Sequence, residues 1–334
     1  MAVKKKEFSL DSIKGKFSTK TKYKPDSFYD CGEEFTEACG LPGPSKGHIN
    51  MFLGHSNSSK TTAMILAAAN AQKQGDLPVF IITERKWNWG HAVELGLQAE
   101  QNPEGEWDGN FIFNDSFDYI EQATEFVNQI LDAQDKGEIP YNILFLWDSV
   151  GSIPCKMTFD GKGGKQHNAA TFADKIGMGI SARISKTKKE DVPYWASLVV
   201  INQPWVELPD NPFGQPEIKA KGGEAIWLAS SLVFLFGNQK KAGINHITAT
   251  KNGRTVVYAT RTKISILKNH VNGLSFKDGK ILAVPQGYIK DDKTAIEKYK
   301  KEYSEYWNKK LGGEGDFKLS ESFVSIEEEE EFED

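Results

Sequence analysis

One short polar segment has the residue types and spacing that bind phosphate. It follows Gly54, ends in Lys60 and Thr61, and lies between an apolar run at 49–53 and a run of small helix-forming residues at 63–70. The first run predicts a buried strand and the second predicts a helix. Backbone N–H groups at the start of a helix attract anions, because the helix dipole places positive charge there. The lysine would add its charge at the β- and γ-phosphates of a nucleotide, and the threonine hydroxyl would face Mg²⁺.

The segment therefore predicts a nucleotide-binding loop, with one departure from the usual pattern. The pattern has a second glycine directly before the lysine, where this chain has Ser59. A Cβ at that position can crowd the loop or change its φ and ψ angles. The alternative interpretation is a chance glycine turn before a helix. The candidate nucleotide contacts are Gly54, His55, Ser56, Asn57, Ser58, Ser59, Lys60, Thr61 and Thr62.

Two carboxylates follow apolar runs in the way expected at a nucleotide site. Glu84 comes just after the run at 79–82, and Asp148 follows the run at 143–147. Ligands bind at the carboxyl ends of the strands in open α/β sheets. An apolar strand that ends in aspartate, downstream of a phosphate loop, is the Walker B arrangement, in which the aspartate holds Mg²⁺ through water. Glu84 is a candidate general base for activating water, and the alternative is a surface charge at a strand end.

Composition indicates a globular protein of 334 residues, 39% hydrophobic and 26% charged. No apolar run approaches the roughly 20 residues of a membrane-spanning helix. The lysine-rich start lacks the apolar segment of a secretory signal. Three scattered cysteines are too few for a disulfide framework or a zinc site. These features favour a cytoplasmic protein without membrane contact.

Charge is distributed unevenly along the chain. The formal net charge is −5, and residues 327–334 contain six Glu and one Asp, so the rest of the chain carries −5 + 7 = +2. The first 24 residues contain eight lysines. A basic start and an acidic end suggest contact with a polyanion or with neighbouring subunits, and the alternative is a pair of solvated termini. Near the start, an apolar helical stripe is formed by Phe8, Leu10, Ile13 and Phe17.

The remaining segments predict alternating helices and strands. A third buried strand, 195–203, ends in Asn202 and Gln203, and the segment 204–221 has four prolines and no clear period, which predicts a long loop. Asn252 and Gly253 predict a hairpin turn. Helices are expected at 117–136, 169–186 and 294–311, strands at 232–236, 255–260 and 262–267, and a further hairpin or edge strand at 276–288.

In its combined motifs the chain resembles the RecA/UvsX recombinases over roughly residues 40–271. The motifs are LGHSNSSKTT at 53–62, FIITE at 80–84, LFLWDSV at 144–150, and VVINQ followed by FGQPEIKAKGGEA between 199 and 225. The strand ending in INQ, with the loop and Gly-Gly helix start after it, separates these recombinases from most other ATPases with the same core. The acidic tail, the short C-terminal region and the missing glycine resemble phage UvsX more than bacterial RecA.

The resemblance implies an α/β fold, a RecA-like P-loop ATPase core with a mostly parallel central sheet flanked by helices. An antiparallel C-terminal hairpin region would follow. Residues 1–36 would be a basic arm that docks on another subunit, and 37–275 would be the ATPase core with the DNA-binding loops. Residues 276–334 would form a small region with a helix and a disordered acidic tail.

The resemblance also implies roles for single residues. Glu84 would orient the attacking water, Gln203 would sense the γ-phosphate, and Lys268 would reach the ATP of the adjacent subunit. Thr61 and Asp148 would bind Mg²⁺. His91 falls where the family packs an aromatic residue near adenine. Two loops, 156–168 and 204–221, would face DNA through Lys162, Lys165, Phe213, Lys219 and Lys221.

The implied function is an ATP- and Mg²⁺-dependent recombinase that forms a helical filament on single-stranded DNA and exchanges strands with homologous duplex DNA. Single-strand-binding and loader proteins are further expected partners. Two alternatives remain at this point. A replicative helicase with the same core would form closed rings, and the INQ and Gly-Gly elements argue against it. A non-catalytic paralogue or mediator stays open because of Ser59 and the acidic residues in the second loop.

Overall fold

The computed structural model describes residues 10–18, 20–207, 217–221, 223–237 and 245–319. Its strands are β1 (Ile49–Gly54), β2 (Leu77–Ile82), β3 (Glu100–Gln101), β4 (Trp107–Asp108), β5 (Ile112–Asn114), β6 (Ile143–Asp148), β7 (Ala196–Asn202), β8 (Pro204–Glu207), β9 (Glu217–Ala220), β10 (Leu232–Phe236), β11 (Asn245–Lys251), β12 (Arg254–Asn269), β13 (Gly279–Val284), β14 (Gly287–Lys290) and β15 (Lys318–Leu319).

The helices are α1 (Leu10–Phe17), α2 (Glu33–Cys39), α3 (Lys60–Lys73), α4 (Trp89–Glu94), α5 (Ile120–Asp135), α6 (Lys156–Phe159), α7 (Lys165–Phe172), α8 (Ser181–Lys186), α9 (Glu224–Ala229), α10 (Lys293–Glu302) and α11 (Ser304–Leu311). A π-helix, Ala173–Ile180, joins α7 to α8. Across the described ranges, no helix combines the length and the apolar composition that crossing a membrane requires.

The central sheet has the strand order β14-β13-β12-β10-β1-β7-β6-β2-β5. The strands from β10 to β5 are parallel, and those from β12 to β14 are antiparallel. β11 pairs with β12 and extends this antiparallel part. The predicted α/β fold with a mostly parallel sheet and an antiparallel C-terminal hairpin region is confirmed.

Parallel strands β1, β2, β6, β7 and β10 are buried at every position, which explains their near-continuous apolar sequences, whereas the edge strand β5 is half-buried. Successive side chains point to opposite faces of the sheet. Phe52 packs on the side of α2 and α3, whereas Met51 and Leu53 pack on the side of α5 and the π-helix. A third cluster lies under α10 and α11, where Tyr258 and Trp307 stack with ring centroids 4.6 Å apart.

The segment after β7 differs from the prediction of a long loop. Its two ends, β8 and β9, pair as an antiparallel hairpin, and 208–216 lie outside the described residues. Pro204 begins β8, where a strand tolerates proline, and the other prolines follow β8 or precede β9. The proline content of the whole segment therefore does not indicate the two short strands at its ends, β8 and β9.

The C-terminal elements also differ in detail from the predicted ones. β12 is one strand of 16 residues instead of two, and it continues through the buried Arg261, whose charge is balanced by the half-buried Asp291 at 2.7 Å. The predicted helix 294–311 is two helices, because the backbone leaves helical geometry at Tyr303. The predicted hairpin near 276–288 corresponds to β13 and β14.

The domain boundaries remain a prediction. Tyr29 and Phe35, which fall within the expected arm 1–36, are buried in the core beside α3. In α1, the side chains of Leu10, Ile13 and Phe17 are exposed by 53%, 39% and 73%, as an unpartnered apolar stripe would be. Phe8 lies outside the described residues.

Buried His48 before β1 predicts acid sensitivity. Burial chiefly, and the cation of Lys188 in addition, lower its pKa from 6.5 to about 4. The unfolded chain therefore binds a proton in this window that the folded chain excludes. The free energy of unfolding should fall by roughly 3 kcal/mol as the pH drops through the window. Urea unfolding should show a shallower decline for His48→Gln, and parallel declines in both proteins would assign the effect to other groups.

Candidate active site

The candidate phosphate loop, residues 55–59, connects β1 to α3 in a tight backbone path. A Cβ on Gly54 would lie 2.5 Å from the carbonyl oxygen of Phe236 and 2.7 Å from Ser58 Oγ, so this position requires glycine. Asn57 and Ser59 have left-handed backbones with φ of 63° and 66°. The loop thereby turns its last residues into the first turn of α3.

Lys60 lies folded across this loop. Its Nζ donates to the carbonyl oxygen of His55 at 2.6 Å and to Ser58 Oγ at 3.2 Å. Burial lowers its pKa to about 8, while Asp148 and Glu84 act in the opposite direction. A buried ammonium held by neutral acceptors has most to gain from an anionic ligand.

Thr61 and Asp148 meet at the end of β6. The Thr61 hydroxyl donates to Asp148 Oδ2 at 2.9 Å. Burial raises the pKa of Asp148 to about 6, although the Thr61 hydrogen bond opposes the shift. The hydroxyl and the carboxylate are hard oxygen donors of the kind that Mg²⁺ takes together with phosphate oxygens and water. These two residues therefore fit a Mg²⁺-nucleotide complex.

Glu84 lies beside this pair because β2 and β6 are neighbours in register. Ile82 pairs with Asp148 across the two strands, and the backbone N–H groups of Thr83 and Glu84 both donate to the Asp148 carbonyl oxygen. Ser149 Oγ donates to Glu84 Oε1 at 2.7 Å. The two strand ends thus hold both carboxylates at one edge of the sheet, and the serine orients the glutamate.

Gln203 connects the phosphate loop to the β8–β9 hairpin. Its Nε2 donates to Ser56 Oγ at 3.4 Å, and its Oε1 accepts from Lys221 Nζ at 2.7 Å. The backbone N–H of Lys221 also donates to the Gln203 carbonyl oxygen. A change at the loop can therefore reach the residue that follows the hairpin through one side chain.

A cleft of about 930 Å³ opens above these groups. Residues 56–62 line it, with Glu84, His91, Asp148 and Gln203, whereas Gly54 and His55 do not. Burial lowers the pKa of His91. A neutral ring beside the cleft suits contact with a heterocyclic base.

The motifs do not single out several other cleft residues, among them Lys86, Trp87, Glu94, Tyr306 and Lys310. Lys86 and Trp87 come a few residues after β2. The charged and aromatic residues that follow this strand could therefore have indicated that they border the site. The last two belong to α11, and burial and then Glu94 raise the pKa of Tyr306. Nothing local in the sequence indicates that α11 borders the cleft.

The sequence model of the RecA N-terminal domain family matches residues 1–284 of this chain. The chain belongs to the RecA family. The family match and the sheet described above agree on the RecA fold.

Relatives with the RecA name are similar over part of their length. Protein RecA of Streptococcus gordonii is 28% identical over 236 residues, covering 70% of this chain and 54% of the relative. Protein RecA of Geobacter sulfurreducens is 26% identical over 239 residues, covering 70% and 60%. Protein RecA 2 of Myxococcus xanthus is 27% identical over 239 residues, covering 70% and 56%. The match thus spans between half and three fifths of these relatives.

The RecA resemblance also singles out Lys268 and Lys162, and neither lines the cleft. Lys268 Nζ donates to the carbonyl oxygens of Trp227 and Leu228 at 2.9 and 3.1 Å, at the end of α9. Lys162 is exposed between α6 and α7. Lys165 begins α7, Lys219 is in β9, and Phe213 lies outside the described residues. Their expected contacts with DNA or with a neighbouring RecA subunit remain predictions.

Proposed function

We propose that this RecA-family chain is a DNA-dependent ATPase that forms filaments on single-stranded DNA and promotes homologous pairing and strand exchange. The observation that carries the proposal is that Lys60, Glu84, Asp148 and Gln203 line one cleft, from which Gln203 also reaches Lys221 beside the β8–β9 hairpin. The family match and the relatives named protein RecA support it.

In this proposal the phosphate loop and Lys60 bind the triphosphate of ATP. Backbone N–H groups at the start of α3 and the lysine ammonium supply complementary charge. Thr61 and Asp148 would hold Mg²⁺, which when bound neutralises charge on the β- and γ-phosphate oxygens. His91 and the α11 residues Tyr306 and Lys310 would border the base and ribose.

Glu84 would orient the water that attacks the γ-phosphate. Its carboxylate is held by Ser149 and lies at the same sheet edge as Asp148. A carboxylate fixed by a neighbouring hydroxyl accepts a hydrogen bond from water without first reorganising. Lys268 would approach the nucleotide of an adjacent subunit, which requires it to leave its contacts at the end of α9.

Gln203 would link nucleotide state to DNA binding. Contact with the γ-phosphate would draw its side chain away from Lys221 and free that ammonium for a DNA phosphate. Lys162, Lys165 and Lys219 would add further phosphate contacts, and Phe213 would stack on bases. DNA bound between the loops would favour the same arrangement of Gln203, since coupling between two sites is reciprocal.

The sequence supports more specific proposals on the branch of the family, the compartment and the further partners. Ser59 and the acidic run at 327–334 favour the phage UvsX branch, for which the compartment would be the host cytoplasm. Residues 1–36 would dock on a neighbouring subunit through the apolar stripe of α1, and single-strand-binding and loader proteins would act on the filament. The accessory paralogue remains the second candidate, and the observation that favours it is the strained Ser59 in the phosphate loop.

ATP hydrolysis measured with and without homopolymeric single-stranded DNA tests the proposal. DNA should raise the turnover of the unmodified protein. In Gln203→Ala the ratio of the two rates should fall towards one, because the link to Lys221 is lost. The exposed Gln129→Ala serves as the control. Turnover independent of DNA in the unmodified protein would favour the accessory paralogue, and duplex unwinding without strand exchange would favour the helicase.

A further inference from the structure

Ser59 adopts a backbone conformation that is costly for its residue type. Its φ of 66° and ψ of 18° lie in the left-handed region, where a side chain crowds the backbone. It directly precedes Lys60, and its side chain makes no capping hydrogen bond to α3. An outside contact is therefore needed to keep the loop in this shape.

Tyr288 makes such a contact from the other end of the chain. Its hydroxyl donates to the carbonyl oxygen of Ser59 at 2.8 Å. The ring is buried in β14 beside Phe35, with centroids 5.9 Å apart. Burial raises the pKa of Tyr288 well above its usual value, so the hydroxyl keeps its proton and remains a donor.

A second contact holds the preceding peptide. Thr262 is fully buried in β12, and its hydroxyl donates to the carbonyl oxygen of Ser58 at 3.4 Å. The Ser58 carbonyl lies in the peptide plane before Ser59, and the Ser59 carbonyl lies in the plane after it. Because φ and ψ of Ser59 describe the rotation of these two planes about its Cα, holding both planes restrains both angles.

We propose that Tyr288, supported by Thr262, is a positioning residue that holds the phosphate loop in the left-handed shape at Ser59. Contacts from the antiparallel C-terminal strands thereby stabilise a backbone conformation at Ser59 that a glycine would adopt without such contacts. The backbone N–H groups of Lys60 and Thr61 would then point towards the phosphates of a bound nucleotide. The consequence for ATP rests on the proposed function, whereas the restraint on the loop does not.

A double-mutant cycle tests the proposal. Tyr288→Phe removes only the hydroxyl and should weaken binding of a fluorescent ATP analogue roughly fivefold, as expected for one hydrogen bond, with the change in KM exceeding that in kcat. In a Ser59→Gly background the same change should cost less than about twofold, because glycine adopts the loop shape freely. Equal losses in both backgrounds, or none in either, would overturn the proposal.

Amide hydrogen exchange of residues 58–61 without nucleotide provides a readout independent of ATP. Exchange should accelerate in Tyr288→Phe and return towards the original rate when Ser59→Gly is added. Tyr299→Phe is the matched control, because it removes another buried hydroxyl, the one that donates to Gln286. It should leave the exchange rates of residues 58–61 unchanged. If the unmodified protein bound no nucleotide, the proposed function would fail, whereas unchanged exchange in Tyr288→Phe would by itself refute the positioning role.

Discussion

Replacing Glu84 with glutamine should lower ATP turnover by about a thousandfold while the protein still binds ATP. The amide keeps the size of the side chain and an oxygen that can accept the hydrogen bond from Ser149, so the strand end should keep its geometry. What is lost is the negative charge that polarises a water molecule. Because binding depends on Lys60 and the loop backbone, the loss should appear in kcat and leave nucleotide affinity within about twofold.

Single-turnover hydrolysis and equilibrium binding of ATP measure these two effects separately. Glu125→Gln in α5 makes the same chemical change at an exposed position and should match the unmodified protein. Turnover in Glu84→Gln within about tenfold of the original would be too small a loss for a general base. The water would then be oriented by another group.

Replacing Lys60 with methionine should weaken ATP binding by about a hundredfold, because a charge-assisted hydrogen bond to phosphate is lost. Methionine keeps much of the aliphatic stem. The folded protein already disfavours the buried ammonium, as the pKa lowered to about 8 indicates. Removing that charge should therefore leave the free energy of unfolding without nucleotide nearly unchanged.

Isothermal titration with Mg²⁺ and ATP, together with urea unfolding, distinguishes lost binding from lost folding. Lys73→Met lies in the same helix at an exposed position and is the matched control. ATP affinity in Lys60→Met equal to that of the control would contradict the assigned role. Unfolding of Lys60→Met at much lower urea would instead indicate that its bonds to His55 and Ser58 stabilise the loop itself.

Sequence patterns were sufficient to predict the local parts of the candidate site. Apolar runs identified the buried parallel strands, since both faces of such a sheet are covered. Gly54, Lys60 and Thr61 predicted the loop because a helix start and its flanking residues are adjacent in the chain. Glu84 and Asp148 each come at or just after the end of an apolar strand. Because parallel strands end at the same edge of a sheet, the sequence also predicted that the two carboxylates lie close together. The α/β fold itself was predicted from the resemblance that the combined motifs carry.

Only the tertiary structure decided the contacts between distant segments. Tyr288 meets the Ser59 carbonyl although 229 residues separate them. The β8–β9 hairpin brings Lys221 to Gln203, and α11 reaches the cleft of the candidate site. These contacts depend on strand order, including the pairing of the antiparallel strand β12 with β10. Sequence periodicity reports which face of an element is buried, but it carries no information about which distant element buries it.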